Sequence, residues 1–229
     1  MTATVKTFDK STVKSDFISR CPELNYPFGI AMNNVTGDIY ITDSALSAVF
    51  FIKAGEPLGE TFLTSLQMGK IFSPEYDSMH HPTAITYTSD GSLYLALYFS
   101  HVVLKVSLDG SATVLAGKLG SKGQVDGLLG ESRLIYPYGI TKSLNESIIY
   151  VSENFEEIFG VPSLRAIDLK NGVVRTVVGG LANGFKDGPA MTAEFRELGQ
   201  IATHPITGSF SQISKFYIDN YENRKHLHC

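Results

Sequence analysis

A short motif built on a proline recurs every 55 residues, and that period limits the fold more than any bulk property of the chain. Tyr26-Pro27-Phe28-Gly29-Ile30, His81-Pro82-Thr83-Ala84-Ile85 and Tyr136-Pro137-Tyr138-Gly139-Ile140 align without a gap. Glu197-Leu198-Gly199-Gln200-Ile201 is a degenerate fourth copy. Each copy is followed by a second signature, about a dozen residues later in the first three. The signatures are Asp38-Ile39-Tyr40-Ile41-Thr42-Asp43-Ser44, Ser92-Leu93-Tyr94-Leu95-Ala96-Leu97-Tyr98 and Ile148-Ile149-Tyr150-Val151-Ser152-Glu153-Asn154, with Lys215-Phe216-Tyr217-Ile218-Asp219-Asn220 in the fourth copy. Turn formers separate motif from signature: Asn33 to Gly37, Ser89-Asp90-Gly91 and Asn145-Glu146-Ser147.

Two further apolar runs complete each unit. Lys170-Asn171-Gly172 joins Ser163–Leu169 to Val173–Val178, and Asp109-Gly110 joins Val102–Leu108 to Ser111–Ala116, both hairpin signals. A longer Gly-Glu-Pro-Leu-Gly turn serves Ala48–Lys53 and Glu60–Leu66. Each unit therefore reads strand, turn, strand, loop, strand, turn, strand. Helical periodicity is confined to a turn or two around Pro189–Glu197. A four-stranded antiparallel cassette at this period predicts an all-β propeller, one domain over 1–229 with repeats at about 26–80, 81–136, 137–198 and 199–229. The fourth repeat is expected to carry an insertion at Pro205–Ser214 before a second strand at Phe216–Asp219.

The paired landmarks resemble the NHL repeat, which reads roughly Pro-x-Gly-Ile, a turn, then Ile-Tyr-Val-x-Asp. Two connectors resemble the Gly-rich linkers of that family. One runs from Leu115-Ala116-Gly117 through Gly123, Asp126-Gly127 and Arg133-Leu134, the other from Val178-Gly179-Gly180 through Gly184, Asp187-Gly188 and Ala193-Glu194-Phe195. The resemblance covers residues 26 to about 225. Leu97 departs from it, standing where the other copies have Asp43, Glu153 and Asp219 or Asn220. NHL propellers close with about six blades, against the four repeats present here. Two arrangements stay open: a ring in which Ser15–Cys21 supplies the last strand of the fourth blade, or an open arc whose edge needs cover. The closed form puts Cys21 and Cys229 into one blade, as a candidate disulfide or as two free thiols.

On the propeller reading, the loops into the first strand and after the second share one mouth of the central channel. Tyr26, Phe28, His81, Tyr136 and Tyr138 arrive by the first route. Asp43, Ser44, Tyr98, Glu153, Asn154, Asp219 and Asn220 arrive by the second. Aromatic side chains mixed with a few acids suit protein or peptide recognition. The expected function is thus a non-enzymatic binding scaffold with no cofactor and no metal. The bland alternative is that the Pro-aromatic-Gly motif packs the start of each blade while the acid caps its own loop.

Other function classes are weaker. An acidic rim of Asp43, Glu153 and Asp219 around a cation would suit a divergent propeller hydrolase or lyase, but Leu97 interrupts it. His80, His81 and His204 do not occupy equivalent repeat positions, which argues against a three-histidine zinc site. No Gly-x-Ser-x-Gly or phosphate-cradling loop is present. RNA binding, known in some NHL domains, is opposed by a net charge of −4. No run reaches the eighteen or so apolar residues of a membrane helix, and the amino-terminal segment has no apolar core of a signal peptide, which favours the cytosol. If the protein is secreted, Asn34 and Asn145 are sequon asparagines in equivalent exposed turns.

Overall fold

The computed structural model describes residues 24–55, 61–63, 80–107, 109–154, 161–179 and 182–213. Within them every regular element is a strand. β1 (Pro27–Met32), β2 (Ile39–Asp43), β3 (Ala48–Ile52) and β4 (Thr61–Leu63) form one antiparallel sheet in chain order. β5 (Pro82–Tyr87), β6 (Leu93–Leu97), β7 (Val102–Val106) and β8 (Ala112–Gly117) form a second of the same design. The third sheet uses β10 (Pro137–Lys142), β11 (Ile148–Glu153), β12 (Ser163–Asp168) and β13 (Val173–Gly179), and gains β9 (Gly127–Leu128) on the outer edge of β13. β14 (Gln200–Thr203) and β15 (Phe210–Ile213) begin a fourth. This is an all-β, propeller-like fold.

The repeated motif explains how consecutive sheets stack. Each proline opens a first strand, a position where its missing N–H breaks no ladder bond. The pairing then slips between Pro27 and Ile30, between Pro82 and Ala84, and between Pro137 and Gly139. The slip brings the backbone of one first strand against the next. A Cβ on Gly29 would lie 2.9 Å from Ala84 Cα, and one on Gly139 would lie 2.7 Å from Gly199 O and 2.9 Å from Gln200 Cα. Glycine is required there because backbone, not a movable side chain, fills the space. β1 thus packs on β5, β5 on β10, and β10 on β14. Thr83 Oγ1 donates to Pro137 O at 3.3 Å, and Gln200 Nε2 donates to Thr83 O at 3.0 Å, tying the fourth sheet to the second.

Between the stacked sheets lie two apolar layers. Ala31, Tyr40, Val49, Ile85, Leu95 and Leu104 fill the space between the first and second. Ala84, Tyr94, Val103, Ile140, Val151 and Ile167 fill that between the second and third. Both faces of the second sheet are covered, which is why every residue of β6 is buried. The first sheet instead leaves Ile30 and Met32 exposed on the side away from Ala31.

One strand assignment is corrected. The segment Pro205–Ser214 is not an insertion: β15 follows a six-residue turn and pairs residue for residue with β14, Thr203 opposite Phe210. The turn copies that of the first repeat. Asn33 Oδ1 accepts from the N–H groups of Val35 and Thr36, and Gly37 takes φ 80°. His204 Nδ1 accepts from Ile206 and Thr207, and Gly208 takes φ 72°. A histidine stands in for the asparagine that sequence reading looks for. The proposed strand Phe216–Asp219, the closing strand Ser15–Cys21 and both cysteines lie outside the described residues.

Candidate functional site

Three equivalent backbone bonds build one face of the molecule. The N–H groups of Ser44, Tyr98 and Asn154, each just past a second strand, donate to the carbonyls of Tyr26, His81 and Tyr136 at 3.0, 3.1 and 3.1 Å. The residue before each motif proline is thereby held beside the loop that leaves the second strand. The structure brings Tyr26, Phe28, His81, Tyr98, Tyr136 and Tyr138 together in this way.

Their rings form a continuous row across three sheets. Tyr26 meets Phe28 at 6.0 Å between centroids, and Phe28 meets Tyr138 edge-on at 5.3 Å and 89°. Tyr138 meets Tyr98 at 6.0 Å and 77°, and Tyr98 meets Tyr136 at 4.9 Å. Phe99, unremarked in the sequence, joins at 5.0 Å from Tyr98 and 4.7 Å from the His81 ring. His101 packs on Tyr136 at 4.6 Å, and Lys122 Nζ lies 5.6 Å from the same ring centroid. Such tilted and edge-to-face pairs each contribute about 0.5–1.5 kcal/mol beyond area burial. The row is not sealed: Tyr26 is 56% and Phe99 54% exposed, and Phe28, Tyr98 and Tyr138 are half-buried.

Backbone strain concentrates on the same face. His81, His101 and Tyr136 have φ of 43°, 58° and 44°, the left-handed region that bulky residues avoid. Each such residue costs about 1–3 kcal/mol and persists only where its surroundings hold it. Part of the holding is visible, since the Tyr136 N–H donates to His101 Nδ1 at 3.2 Å. His81 Nε2 is buried with no hydrogen-bond partner among the described residues, and burial holds the His81 ring below its ordinary pKa.

The carboxylates behave differently. Asp43 is fully buried: Oδ2 accepts from the N–H groups of Asn25 and Tyr26 at 2.6 and 2.9 Å, and Oδ1 from Leu46 at 2.9 Å. Glu153, the equivalent residue, is also fully buried and accepts from the Ile135 N–H at 2.9 Å. It further takes Ser163 Oγ at 2.7 Å, Gln124 Nε2 at 3.2 Å and Arg165 Nη1 at 2.9 Å. Both acids therefore fasten the segment leading into their own first strand, and neither presents a carboxylate to a partner or a rim cation. Burial is the largest influence on Glu153 and pushes its carboxyl up, opposed by Arg165 and the hydrogen bonds. Where Leu97 replaces the acid, His80 Nδ1 lies 3.2 Å from Ser100 Oγ instead.

Among the described residues an acid reaches the face at Glu197, which heads the degenerate fourth motif just as Tyr26, His81 and Tyr136 head the others. Asn154 Nδ2 donates to Glu197 Oε1 at 3.5 Å. Burial, then the nearby Glu197, Tyr98 and Tyr26, push the Tyr138 hydroxyl up to about 12. Phe99, His101, Lys122 and Glu197 were missed as site residues; the equivalence of motif heads could have found Glu197. Asp219 and Asn220 lie outside the described residues. Asn34 and Asn145 are exposed in turns at the opposite end of their strands.

The raised hydroxyl has a measurable consequence. A group with a raised pKa in the folded state adds stability that is full below its ordinary value of 10 and lost as pH rises through about 12. Ultraviolet titration of the intact protein is expected to show a tyrosine ionising near pH 12, absent from Tyr138→Phe, with stability falling between pH 10 and 12.

No protein-family model matches the chain, and no curated protein matches its sequence. Solved structures match its fold. An auxiliary nutrient binding protein from Bacteroides ovatus is 18% identical at a TM-score of 0.61, over 81% of this chain and 45% of that one. The nidogen/laminin complex gives 13% identity and 0.55, over 82% and 56%. A virginiamycin B lyase from Staphylococcus aureus gives 15% and 0.52, over 84% and 50%. The chain spans about half the length of these structures. No helix among the described residues is long and apolar enough to cross a membrane.

Proposed function

We propose that this chain is an NHL-type propeller that binds a protein or peptide partner on the face carrying the aromatic row. The observation that carries the reading is a run of rings from Tyr26 to the buried Tyr136, with Tyr26 and Phe99 open to solvent, spanning three separately built sheets. Aromatic side chains supply large contact area with little conformational entropy to lose, and such residues dominate binding energy at interfaces. The strained backbones at His81, His101 and Tyr136 support the same reading, because strain of this kind gathers at sites that must be held in one shape. The paired proline and Ile-Tyr landmarks support the NHL-type assignment. Among the structural neighbours one is a nutrient binding protein and one a protein complex, which suits a binding scaffold.

Selection of peptides from a random display library against the intact protein tests the proposal. Selected peptides are expected to lose affinity roughly tenfold or more against Tyr26→Ala or Phe99→Ala. They should be unaffected by Val35→Ser, whose side chain is 92% exposed in the turn at the far end of the first sheet. Peptides that bind all three variants like the parent would overturn it.

A further inference from the structure

We propose that the partner inserts an arginine side chain beside Tyr138, with Glu197 as its counter-ion; this step rests on the binding reading above. Tyr138 is the hub of the row. Phe28 stands almost perpendicular to it at 5.3 Å and Tyr98 stands at 6.0 Å and 77°, one from the first sheet and one from the second. The Glu197 carboxylate enters from the fourth motif, steadied by Asn154, whose own N–H donates to Tyr136 O at 3.1 Å. Phe28, Tyr98, Tyr138 and Glu197 are all half-buried, so the group is shielded in part from water and still reachable.

The chemistry of this group selects a cation. The faces of aromatic rings carry negative potential and attract a cation within about 6 Å of the centroid. The Glu197 carboxylate, held by Asn154 and near enough to Tyr138 to raise its hydroxyl pKa, adds negative potential in a partly dry setting, where ion pairs exceed their worth in water. An anionic ligand would be repelled by both. Lys122 adds positive charge to the face, but at the Tyr136 end, over that ring. Among cations arginine fits best, because its planar guanidinium can stack on a ring while its N–H groups pair with a carboxylate. A lysine ammonium offers no plane to stack and holds its water more tightly. The raised Tyr138 pKa agrees with this arrangement: the hydroxyl stays protonated and can donate to a backbone carbonyl of the same segment.

The test uses the intact protein and four blocked Gly-Ser heptapeptides whose central residue is arginine, lysine, citrulline or leucine. Binding is read from the ring resonances of Tyr26, Phe28, Tyr98 and Tyr138 during titration to millimolar concentration. The arginine peptide is expected to shift these rings, and citrulline, which keeps the shape and lacks the charge, to bind roughly tenfold more weakly. Glu197→Gln, which retains an oxygen for Asn154, is expected to weaken the arginine peptide roughly tenfold and leave the leucine peptide unchanged. If citrulline, leucine or lysine binds as tightly as arginine, or if Glu197→Gln has no effect, the arginine assignment is overturned while binding on the face stands. If no peptide shifts any of these rings, the arginine assignment falls. The face reading falls with it only when library-selected peptides are also insensitive to Tyr26→Ala and Phe99→Ala.

Discussion

Arg165→Met is expected to lower the stability of the fold by about 3–5 kcal/mol, the largest single effect the structure predicts. Arg165 is fully buried in β12 and holds three parts of the chain at once. Nη1 pairs with Glu153 at 2.9 Å and donates to Arg133 O at 3.2 Å, while Nη2 pairs with Asp126 at 2.7 Å. Asp126 in turn accepts from the Thr176 N–H and Oγ1, both at 3.0 Å, so the connector is locked to β13 of the third sheet. Removing the guanidinium leaves the Glu153 carboxylate buried without a charge partner, which costs more than the pair itself contributes. Two controls separate this cause from lost packing. Adding Glu153→Gln should recover most of the loss in chemical denaturation, because the buried charge disappears while an acceptor for the Ile135 N–H remains. The deficit of the single variant should also shrink in acid. With its pKa raised further, Glu153 favours the folded state below the ordinary value of 4.5, and that contribution is lost as pH rises. A deficit equal at pH 4 and pH 8 would sink this account.

The same residues show what a sequence can and cannot say here. The period, the strand order and the gathering of Tyr26, Phe28, Tyr98, Tyr136 and Tyr138 are legible because repetition fixes equivalent positions without any knowledge of side-chain direction. The role of Asp43 and Glu153 is not. A carboxylate after a strand looks the same whether it faces a partner or turns back onto the N–H groups of its own blade. Arg165 is invisible for a related reason: a charged residue within a short strand is read as solvated unless its partners are known, and those come from residues up to 39 positions away. The fourth hairpin is written in the sequence under a changed residue. Ile206-Thr207-Gly208 repeats Val35-Thr36-Gly37, but the histidine replacing asparagine at the head of the turn hid the match. Glu197 is masked in the same way, since an acid stands at a position that Tyr or His fills in the other copies.

Gly139→Ala is expected to destabilise the fold by about 1–3 kcal/mol, with Gly139→Val worse, because it drives two first strands apart. The added Cβ would meet Gly199 O at 2.7 Å, Ser152 Oγ at 2.8 Å and Gln200 Cα at 2.9 Å, and two of these three are backbone. Ser152 Oγ is itself committed, accepting from the Gly139 N–H at 2.8 Å and donating to Gly199 O at 2.7 Å. Relief therefore requires β14 to move as a unit, and hydrogen exchange should report it as lost protection in 200–203 before the first and second sheets are affected. The second repeat supplies the comparison, for it carries Ala84 where the others carry Gly29 and Gly139. Ala84 is buried in the same apolar layer as Ile140 and Leu134, so there the side chain fills space that already exists. Ala84→Gly should accordingly cost only about 0.5–1 kcal/mol, from backbone entropy and a lost methyl. Equal losses at the two sites would mean that the close approach of the first strands is not what fixes the motif glycine. Because Glu197 lies two residues before Gly199, the same displacement should carry its carboxylate away from Tyr138. The late tyrosine step should then move down from about 12 in Gly139→Ala and stay in place in Ala84→Gly.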